Sequence, residues 1–293
     1  NQIKIKEKKV LDNKYFSYDH VNKKIFFKSK YVYEPIMISK NFDDYELILD
    51  KDDLIFEKYG SLVINSNFKC NNESKTKNII SNSDYSFIYF FGEITNIDNC
   101  NFKNFSHDLS KEFSTSPITF FNTNLTINNS LFENSRSEDL VNIVNSYAKI
   151  SNSHFNNAQS DAIDIDNSKG ILENLKISNC RNDCLDFSSS KFKIKNLKVK
   201  NAGDKGISIG ENSSIDLDGS TIDECNSICI AIKDSSRFTL KNVNFVNGEI
   251  AIAQYIKKKI FNEPYVKFNE NINYEKIEKP FIKAENLEEV INN

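Results

Sequence analysis

Glycine and proline are scarce in this 293-residue chain, which contains 8 Gly, 4 Pro and no Trp. Such a low glycine content excludes collagen-like and glycine-rich low-complexity chains. The chain must still turn many times, and its 42 Asn supply a residue that tolerates the left-handed backbone conformation. We therefore interpret Asn as the main turn former, although an AT-rich genome would also raise the Asn content.

An excess of positive charge is also missing, because 38 Lys and Arg stand against 41 Asp and Glu and give a net charge of −3. This balance excludes a protein held to nucleic acid by bulk electrostatics. No apolar run approaches the roughly 18 residues that a membrane-spanning helix needs. A hydrophobic content of 39% and a charged content of 27% are typical of a soluble, folded chain. The start at Asn1 predicts a processed product or a fragment.

The six cysteines contain no CxxC zinc pair, although Cys180 with Cys184 and Cys225 with Cys229 have CxxxC spacing. Buried free thiols are the favoured interpretation, and disulfides between neighbouring turns are the alternative. An HExxH helix, a P-loop and a dinucleotide-binding fingerprint are absent from the sequence, so these enzyme classes have no support.

An internal repeat is the strongest signal in the chain. Similar segments begin at residues 139, 161, 183 and 205, at intervals of 22 residues, and a fifth copy begins at residue 228. Each alternates apolar and polar side chains, as Ile163 and Ile165 do with Asp164 and Asp166, and this alternation predicts a half-buried strand. A second set of equivalent positions in the repeats contains Asn, except in one repeat, where Gly219 replaces it. Because Asn and Gly both tolerate positive φ, this position predicts a corner of the coil. The members of this set are Asn129, Asn152, Asn174, Asn196, Gly219 and Asn242.

A repeat of 22–23 residues cannot bury its apolar side alone, but stacked copies can, with each strand pairing in parallel with the same strand of the next turn. The sequence therefore predicts an all-β fold, a right-handed single-stranded parallel β-helix with about eight coils in its regular part. We expect residues 1–57 to form an N-terminal cap with leading coils, residues 58–255 the β-helix and residues 256–293 a capping tail. A leucine-rich repeat is the alternative at this period, but its pattern is missing. One aromatic column is predicted to lie in the core: Phe68, Phe102, Phe132 and Phe155.

Stacking converts sequence columns into columns in space. One column contains Asp139, Asp161, Asp183 and Lys205, and a second, three positions on, contains Asn142, Asp164, Asp186 and Ser208. Two carboxylates one coil apart repel by about 1 kcal/mol in bulk water and by several-fold more at a partly dehydrated surface. A bound cation, an ion pair with Lys205 or protonation of one carboxyl would offset this repulsion. In the alternative interpretation, these Asp are turn residues that accept backbone N–H hydrogen bonds.

The segments 138–143, 160–166, 182–190, 203–211 and 232–236 resemble a β-helix repeat region of the pectate-lyase-like superfamily, of the type found beside CotH-type kinase-like domains. Asn182-Asp183-x-x-Asp186 is similar to the Asp-Asp-x-x-Asp calcium segment of family 9 polysaccharide lyases, with Asn182 in place of the first Asp. The resemblance implies Ca²⁺ bound by aspartates of adjacent turns and a Lys that acts as the base. Carried over, the ligands are Asp183 and Asp186 with Asp161 or Asp164 from the turn before, and the candidate bases by position are Lys205 and Lys233.

The chemistry implied by this resemblance is β-elimination or C5 epimerisation of a uronate polymer, in which Ca²⁺ binds the uronate carboxylate and a Lys removes the C5 proton. We therefore expect a secreted or cell-surface protein that binds or modifies polysaccharide with Ca²⁺ as cofactor. The alternative is a non-catalytic surface or structural module, such as an adhesin, a scaffold, or a fibre or virion subunit. Self-assembly or a larger parent chain is compatible with both, and neither a nucleic-acid partner nor a membrane span is expected.

Overall fold

The fold is a parallel β-solenoid of about ten turns. The structure is a computed structural model, and it describes residues 14–49, 53–71, 75–107 and 114–292. Each turn contributes one strand to each of three sheets, and the strands of each sheet pair in parallel with the equivalent strands of the neighbouring turns. The predicted all-β solenoid is therefore confirmed, and almost no helix is present among the described residues.

The three sheets are numbered in the order in which a turn passes through them. Sheet 1 contains Pro35–Ile38, Ser61–Ile64, Ile88–Phe90, Ile118–Phe121, Asp139–Val144, Asp161–Asp166, Leu185–Ser188 and Lys205–Gly210. Sheet 2 contains Lys24–Phe27, Glu46–Leu49, Asn67–Asn71, Ile94–Asp98, Asn124–Asn128, Tyr147–Ser151, Lys169–Glu173, Lys191–Lys195 and Tyr265–Phe268. Sheet 3 contains Tyr31–Val32, Leu54–Phe56, Lys77–Ser81, Cys100–Lys103, Leu131–Ser135, His154–Ala158, Lys176–Cys180 and Lys198–Ala202.

Three long strands continue this pattern across the corners: Ser214–Lys233 and Arg237–Tyr255 pass through all three sheets, and Ile272–Lys283 passes through sheets 3 and 1. Outside the stack, Phe16–Asp19 pairs antiparallel with Lys24–Phe27. Lys40–Phe42 forms a 3-10 helix, and Leu287–Asn292 forms an α-helix.

The interval of 22 residues is the register of sheet 1. Asp139 pairs with Asp161, and Asp164 pairs with Asp186, each in parallel. Ile163 and Ile165 are fully buried in the core, whereas the side chains of Asp164 and Asp166 point outward and are half-buried. The alternation read from the sequence therefore separates the core from the outer face of sheet 1.

Aromatic rings stack along the core in sheet 3. The ring centroids of Phe102 and Phe132 lie 4.8 Å apart, and those of Phe132 and Phe155 lie 5.0 Å apart with nearly parallel planes. Phe68 is also buried, but it lies in sheet 2 opposite Thr95 and not in this column. The pattern Asn-x-Asn-Phe occurs at two different corners: Phe68 follows the corner between sheets 1 and 2, and Phe102 follows the corner between sheets 2 and 3.

Asparagine forms the corners. In the predicted column, Asn152, Asn174 and Asn196 have φ between 49° and 55°, and Gly219 has φ of 68°. The amide of Asn174 donates to Asn152 Oδ1 at 3.1 Å, and that of Asn196 donates to Asn174 Oδ1 at 2.9 Å. This ladder satisfies one side-chain donor per coil where Asn holds the left-handed backbone conformation.

A buried serine ladder, which the repeat analysis missed, follows the corner between sheets 1 and 2. The backbone N–H groups of Ser146, Ser168, Ser190 and Ser213 each donate to the hydroxyl oxygen of the serine one coil later, at 2.9–3.2 Å. Each turn therefore satisfies a buried N–H of the turn before it. The Asn-Ser pairs in the sequence are the signal that identifies this ladder.

The stacked strands extend beyond residues 58–255 at both ends. Within the predicted N-terminal cap, Lys24–Phe27 already pairs in parallel with Glu46–Leu49, while residues 1–13 and 50–52 lie outside the described residues. Within the predicted tail, Tyr265–Phe268 and Ile272–Lys283 form a further turn on Arg237–Tyr255. The helix Leu287–Asn292 follows, and its Val290 packs on the apolar outer face of sheet 1 at Ala231 and Ala253.

Four of the six cysteines form disulfides, so the favoured interpretation of free thiols is wrong for them. Cys70–Cys100 joins a strand of sheet 2 to a strand of sheet 3, with Cα atoms 6.4 Å apart. Cys180–Cys184 spans one corner within a single coil, with Cα atoms 5.3 Å apart. Cys225 and Cys229 are buried free thiols, as expected.

The serine ladder yields a prediction about stability. Replacing Ser190 by Ala leaves the buried N–H of Ser168 without its acceptor and removes the hydrogen bond from Ser190 Oγ to Ile165 O. We expect the free energy of unfolding to fall by about 1–3 kcal/mol. Ser214→Ala is the matched control, because Ser214 lies on sheet 2 outside the ladder, and urea unfolding of both variants measures the difference. Equal stabilities of the two variants would show that the ladder adds nothing to the stacking.

Candidate functional site

Carboxylates are concentrated on the outer face of sheet 1 and at the corner that leads into it. We call this group the acid patch and define it by Asp139, Asp161, Asp164, Asp166, Asp183 and Asp186. The register between coils places Asp161 over Asp139, and Asp186 over Asp164. Repetition of one strand therefore stacks like charges, and the surrounding residues must offset their repulsion.

Three of the four predicted metal ligands come together. Asp161, Asp183 and Asp186 each offer one carboxylate oxygen, and these three oxygens lie within 4.8 Å of one another. Among the described residues, this is the one group of three acidic, His or Cys side chains that meets such a distance. Asp161 and Asp183 belong to the corner position and Asp186 to the strand, so the chain does bend enough to bring both positions to one side.

Asp164, the fourth predicted ligand, has other partners. Its Oδ2 accepts a hydrogen bond from the Asn142 amide at 2.8 Å, and the same amide lies 3.4 Å from Asp166 Oδ2. Asn142, Asp164 and Asp166 therefore form a hydrogen-bonded cluster beside the group of three. The prediction that Asp164 binds a metal stays a prediction.

The corner aspartates also accept backbone hydrogen bonds, as the alternative interpretation expected. Asp161 Oδ1 accepts from the N–H of Asp183 at 2.9 Å and from the Asn182 amide at 2.6 Å. Asp183 Oδ1 accepts from the N–H of Lys205 at 3.1 Å. These bonds use one oxygen of each carboxylate and fix its orientation, whereas the Asp186 carboxylate makes no hydrogen bond to the described residues.

The two predicted catalytic lysines lie at the C-terminal side of the acid patch. Lys205 Nζ lies 3.4 Å from Asp183 Oδ1 and also pairs with Asp204, and its side chain is 13% exposed. Lys233 is buried, and its Nζ donates to Ser208 Oγ at 2.6 Å. Its stem lies across Gly210, where a Cβ would meet Lys233 Cε at 3.4 Å. Lys205 thus lies beside the corner aspartate Asp183, whereas Lys233 contacts the column that contains Asp186 and Ser208.

A third lysine was missed by sequence analysis, because it lies outside the repeat. Lys258 pairs with Glu211, which also accepts a hydrogen bond from Ser188. Asp234 holds the loop that carries Lys258, since its Oδ1 accepts the N–H groups of Lys257 and Lys258 at 2.8 Å each. No periodic signal points to Lys258, and only the folded loop brings it to the site.

Burial and mutual repulsion raise the pKa values of the acid patch. Burial is the largest cause for each: it raises the pKa of Asp139 to about 7, that of Asp161 to about 6 and that of Asp164 to about 9. Neighbouring carboxylates add to this effect, Asp139 and Asp166 most of all at Asp164. Asp164 therefore keeps its proton at neutral pH, which removes one negative charge from the stack.

The positive charges of the lysines lower the pKa values of the carboxyl groups with which they pair, and so oppose the effect of burial. Burial alone would lower the pKa of Lys205, but the charges of Asp183 and Asp204 outweigh it and raise that pKa above its ordinary value. Burial raises the pKa of Asp183, and the positive charge of Lys205 opposes part of this rise. Burial would likewise raise the pKa of Glu211, but hydrogen bonds from Lys258 and Ser188 lower it overall. Lys205 is thus held in its charged form.

Comparison with known proteins identifies the architecture. The family model described as a right handed beta helix region matches residues 118–271, which span the acid patch and its lysines. The handedness predicted from the repeat is confirmed. None of the curated protein sequences matches this chain. Among the described residues, no helix has the length and apolar character that crossing a membrane requires.

Solved structures of polysaccharide-acting enzymes share this fold. The periplasmic alginate epimerase AlgG superposes with a TM-score of 0.51 at 11% identity, over 92% of this chain and 81% of that chain. A double mutant of AlgG superposes with a TM-score of 0.58 at 10% identity, over 95% of this chain and 81% of that chain. The alginate lyase from Paenibacillus sp. str. FPU-7 gives a TM-score of only 0.32 at 10% identity, over 86% of this chain and 99% of that chain. At such identities the likeness extends to the fold and not to the site.

The raised pKa values predict how stability depends on pH in the presence of a chelator. Between pH 4 and pH 9 the folded chain binds more protons than the unfolded chain, because Asp161, Asp139 and Asp164 titrate at about 6, 7 and 9 instead of 3.8. The stabilisation is complete below the unfolded pKa and is lost as pH rises through the folded values. We expect the free energy of unfolding to fall by up to about 1.4 kcal/mol per pH unit for each excess proton.

The substitution Asp164→Asn tests whether Asp164 contributes to this pH dependence, since an amide keeps the shape of the side chain but does not titrate. The variant should lose less stability than the parent chain between pH 6 and pH 9, as measured by chemical unfolding at a series of pH values. Asp216→Asn, at an exposed position of sheet 2, is the control and should follow the parent. A parent stability that rises over this range would contradict the raised pKa values of the buried carboxyl groups.

Proposed function

The chain belongs to the right-handed β-helix family, and we propose that it binds and modifies a uronate-containing polysaccharide at the acid patch, with Ca²⁺ as cofactor. The observation that carries this proposal is the convergence of Asp161, Asp183 and Asp186 from two consecutive coils. A group of carboxylates that a fold buries against repulsion is more typical of a functional site than of a solvated surface. The enzymatic nature of the relatives in this fold is compatible with that function.

The donor set fits Ca²⁺. All three converging groups are carboxylates, and hard oxygen ligands are those that Ca²⁺ prefers. The oxygens of Asp161 and Asp183 that do not accept backbone hydrogen bonds, together with the Asp186 carboxylate, are the ones to bind the ion. Asp164 lies one coil before Asp186 and would complete the predicted set if the ion displaced its proton. A divalent cation at this point would also offset the repulsion that burial increases.

Lys205 and Lys233 have different parts in this proposal. Lys205 is held charged by Asp183 and Asp204, so it binds an anionic substrate group and does not accept a proton. Among the described residues, the side chain of Lys233 donates one hydrogen bond, to the neutral hydroxyl of Ser208, and pairs with no carboxylate. It is therefore the better candidate for removal of the C5 proton. A base must lie within hydrogen-bond reach of the proton that it removes.

A Ca²⁺ ion bound here would supply coordination of the uronate carboxylate and thereby acidify the C5 proton. The chain's own residues would orient the sugar through Lys205 and remove the proton through Lys233. Loss of the C4 substituent completes a lyase reaction, whereas return of a proton to the opposite face completes a C5 epimerisation. Both reactions share the first half, so the same residues serve either outcome.

The proposed location is the cell surface or the extracellular space. The disulfides Cys70–Cys100 and Cys180–Cys184 support it, because disulfides persist in oxidising compartments and are rare in the cytosol. Extended polysaccharides are substrates of that environment. A periplasmic location is also oxidising and fits the same two bonds.

A second candidate function is a structural or adhesive module, and the last coil favours it. Tyr265–Phe268 and Ile272–Lys283 pair with the preceding coil but with no later strand among the described residues. Phe268 and Phe281 on this coil are 43% and 40% exposed. Exposed edges of this kind promote association of sheets. A structural module would convert no polysaccharide, and its mass in light scattering would rise with concentration.

Calcium binding gives the first test of the proposed function. With Ca²⁺ at one hundred times its dissociation constant, the free energy of unfolding should rise by about 2.7 kcal/mol, and a chelator should reverse the rise. Asp186→Asn removes the least engaged ligand and should weaken Ca²⁺ binding at least about tenfold in calorimetric titration. Asp216→Asn is the matched control with the same loss of charge elsewhere. Equal Ca²⁺ affinities of the two variants would show that Ca²⁺ does not bind at the acid patch.

Turnover is tested on a panel of uronate polymers, including alginate and polygalacturonate. A lyase forms an unsaturated product that absorbs ultraviolet light, and an epimerase incorporates solvent deuterium at C5 without cleaving the chain. Either signal should depend on Ca²⁺ and be lost in Lys233→Met, whose stability is checked by unfolding. Lys205→Arg keeps a positive charge and should retain part of the activity. Absence of both signals across the panel, with Ca²⁺ bound, would favour the structural module.

A further inference from the structure

A polar groove lies at the corner between sheets 3 and 1, and the chain passes through it just before it reaches the acid patch in each of three coils. Its volume is about 620 Å³, and every side chain that lines it is polar. We call it the corner groove. The residues that matter for its chemistry are Asn104, Asn134, Arg136, Asn157, Gln159 and Arg181.

Arg136, Gln159 and Arg181 occupy one position in three successive coils. The N–H of Gln159 donates to Ser135 O at 3.0 Å, and the N–H of Arg181 donates to Ala158 O at 3.2 Å, which fixes this register. All three side chains are exposed. Coils stack about 4.8 Å apart, so the two arginines lie about 9.6 Å apart along the helix axis. They are two of the three arginines in the chain.

A shelf of asparagines forms the other side of the corner groove. Asn134 donates its amide to Asn104 Oδ1 at 3.0 Å, and Asn157 donates to Asn134 Oδ1 at 2.8 Å. All three residues have positive φ, between 58° and 65°. Since each amide has two N–H groups and uses one in the ladder, a second donor per coil remains for a ligand. The shelf thus offers a row of donors with the spacing of the coils.

The chemistry of the lining selects one class of ligand. Pockets for apolar small molecules are lined mainly by hydrophobic and aromatic side chains, which the corner groove does not have. Single-stranded nucleic acids need aromatic rings on which bases stack, and these are missing from the lining as well. Amides and hydroxyls suit a polyhydroxylated chain, and guanidinium groups bind carboxylate in two parallel hydrogen bonds.

We propose that the corner groove binds an anionic polysaccharide that lies parallel to the helix axis, with Arg136 and Arg181 bound to its acidic groups. The asparagine shelf and Gln159 contact its hydroxyls. This inference rests on the proposed function and deepens it, because Gln159 and Arg181 each precede an aspartate of the acid patch by two residues, and the corner groove therefore borders the patch. A polysaccharide held here lies alongside the group of Asp161, Asp183 and Asp186.

Arg136 has an internal partner that a ligand must replace. Its Nη2 lies 2.8 Å from Asp84 Oδ1, and both side chains are largely exposed, by 73% and 86%. An ion pair so exposed is weak, and an incoming carboxylate can displace it with little loss. Asp84 therefore holds Arg136 in position but competes with the ligand for it.

The test measures binding of alginate and polygalacturonate oligosaccharides by calorimetry in the presence of a chelator, so that Ca²⁺ takes no part. Arg136→Gln and Arg181→Gln should each weaken binding about tenfold, since each removes a charged hydrogen-bond pair. Asp84→Asn removes the competitor and should strengthen binding up to about fivefold. Arg237→Gln, at the third and exposed arginine on sheet 2, is the control and should leave the affinity unchanged.

Two results would overturn the corner groove as an anionic glycan site. The first is an equal affinity of Arg136→Gln, Arg181→Gln and Arg237→Gln for the acidic oligosaccharides. The second is equal binding of a neutral glucan oligosaccharide or of single-stranded DNA by the parent chain. This test is independent of catalysis. If the arginine variants bind normally and the parent chain shows Ca²⁺-dependent turnover, the proposal for the corner groove is wrong but the proposed reaction stands. If binding depends on the arginines but no turnover is seen, the corner groove is a glycan-binding site and the proposed reaction is wrong.

Discussion

Coil-on-coil pairing at a constant register is the constraint on which the rest of this structure depends. Because the strands of sheet 1 repeat every 22 residues, whatever side chain one coil places outward is set about 4.8 Å from its equivalent in the next. For Ile163 and Leu185 this adds to the core, and for Asp164 and Asp186 it brings like charges together. The same geometry that stabilises the fold therefore generates the electrostatic tension of the acid patch.

Several interactions together offset the repulsion between these carboxylates. A proton remains on Asp164, backbone and amide N–H groups donate to Asp161, and Lys205 pairs with Asp183. Farther along, Ser208, Ala231 and Ala253 replace the acids of the same column, and the C-terminal helix covers its apolar end. The acidic segment is thus confined to a few coils, with the corner groove beside it and an apolar surface covered by the helix after it.

The fold and the columns of the candidate site were predictable from the sequence, because a strict period fixes both the pairing and the face on which Asp164 and Asp186 lie. The corner at Asn152, Asn174 and Asn196 followed from the single replacement by Gly219 in the same column. Lys258 was not predictable, since an irregular loop between the last two coils places it. Phe68 was misplaced because the pattern Asn-x-Asn-Phe occurs at two different corners. The disulfides were also missed, since a count of cysteines does not reveal which corners bring two of them together.

The loop held by Asp234 determines which residues must stay together for the acid patch to keep its charge balance. Lys258 pairs with Glu211 from a loop between the last two coils, across 47 positions of sequence. A fragment that ended at Tyr255, where the repeat read from the sequence ends, would keep the aspartates but would lack this counter-charge. Grafting this surface onto another solenoid therefore requires the loop that carries Lys258 together with the coils.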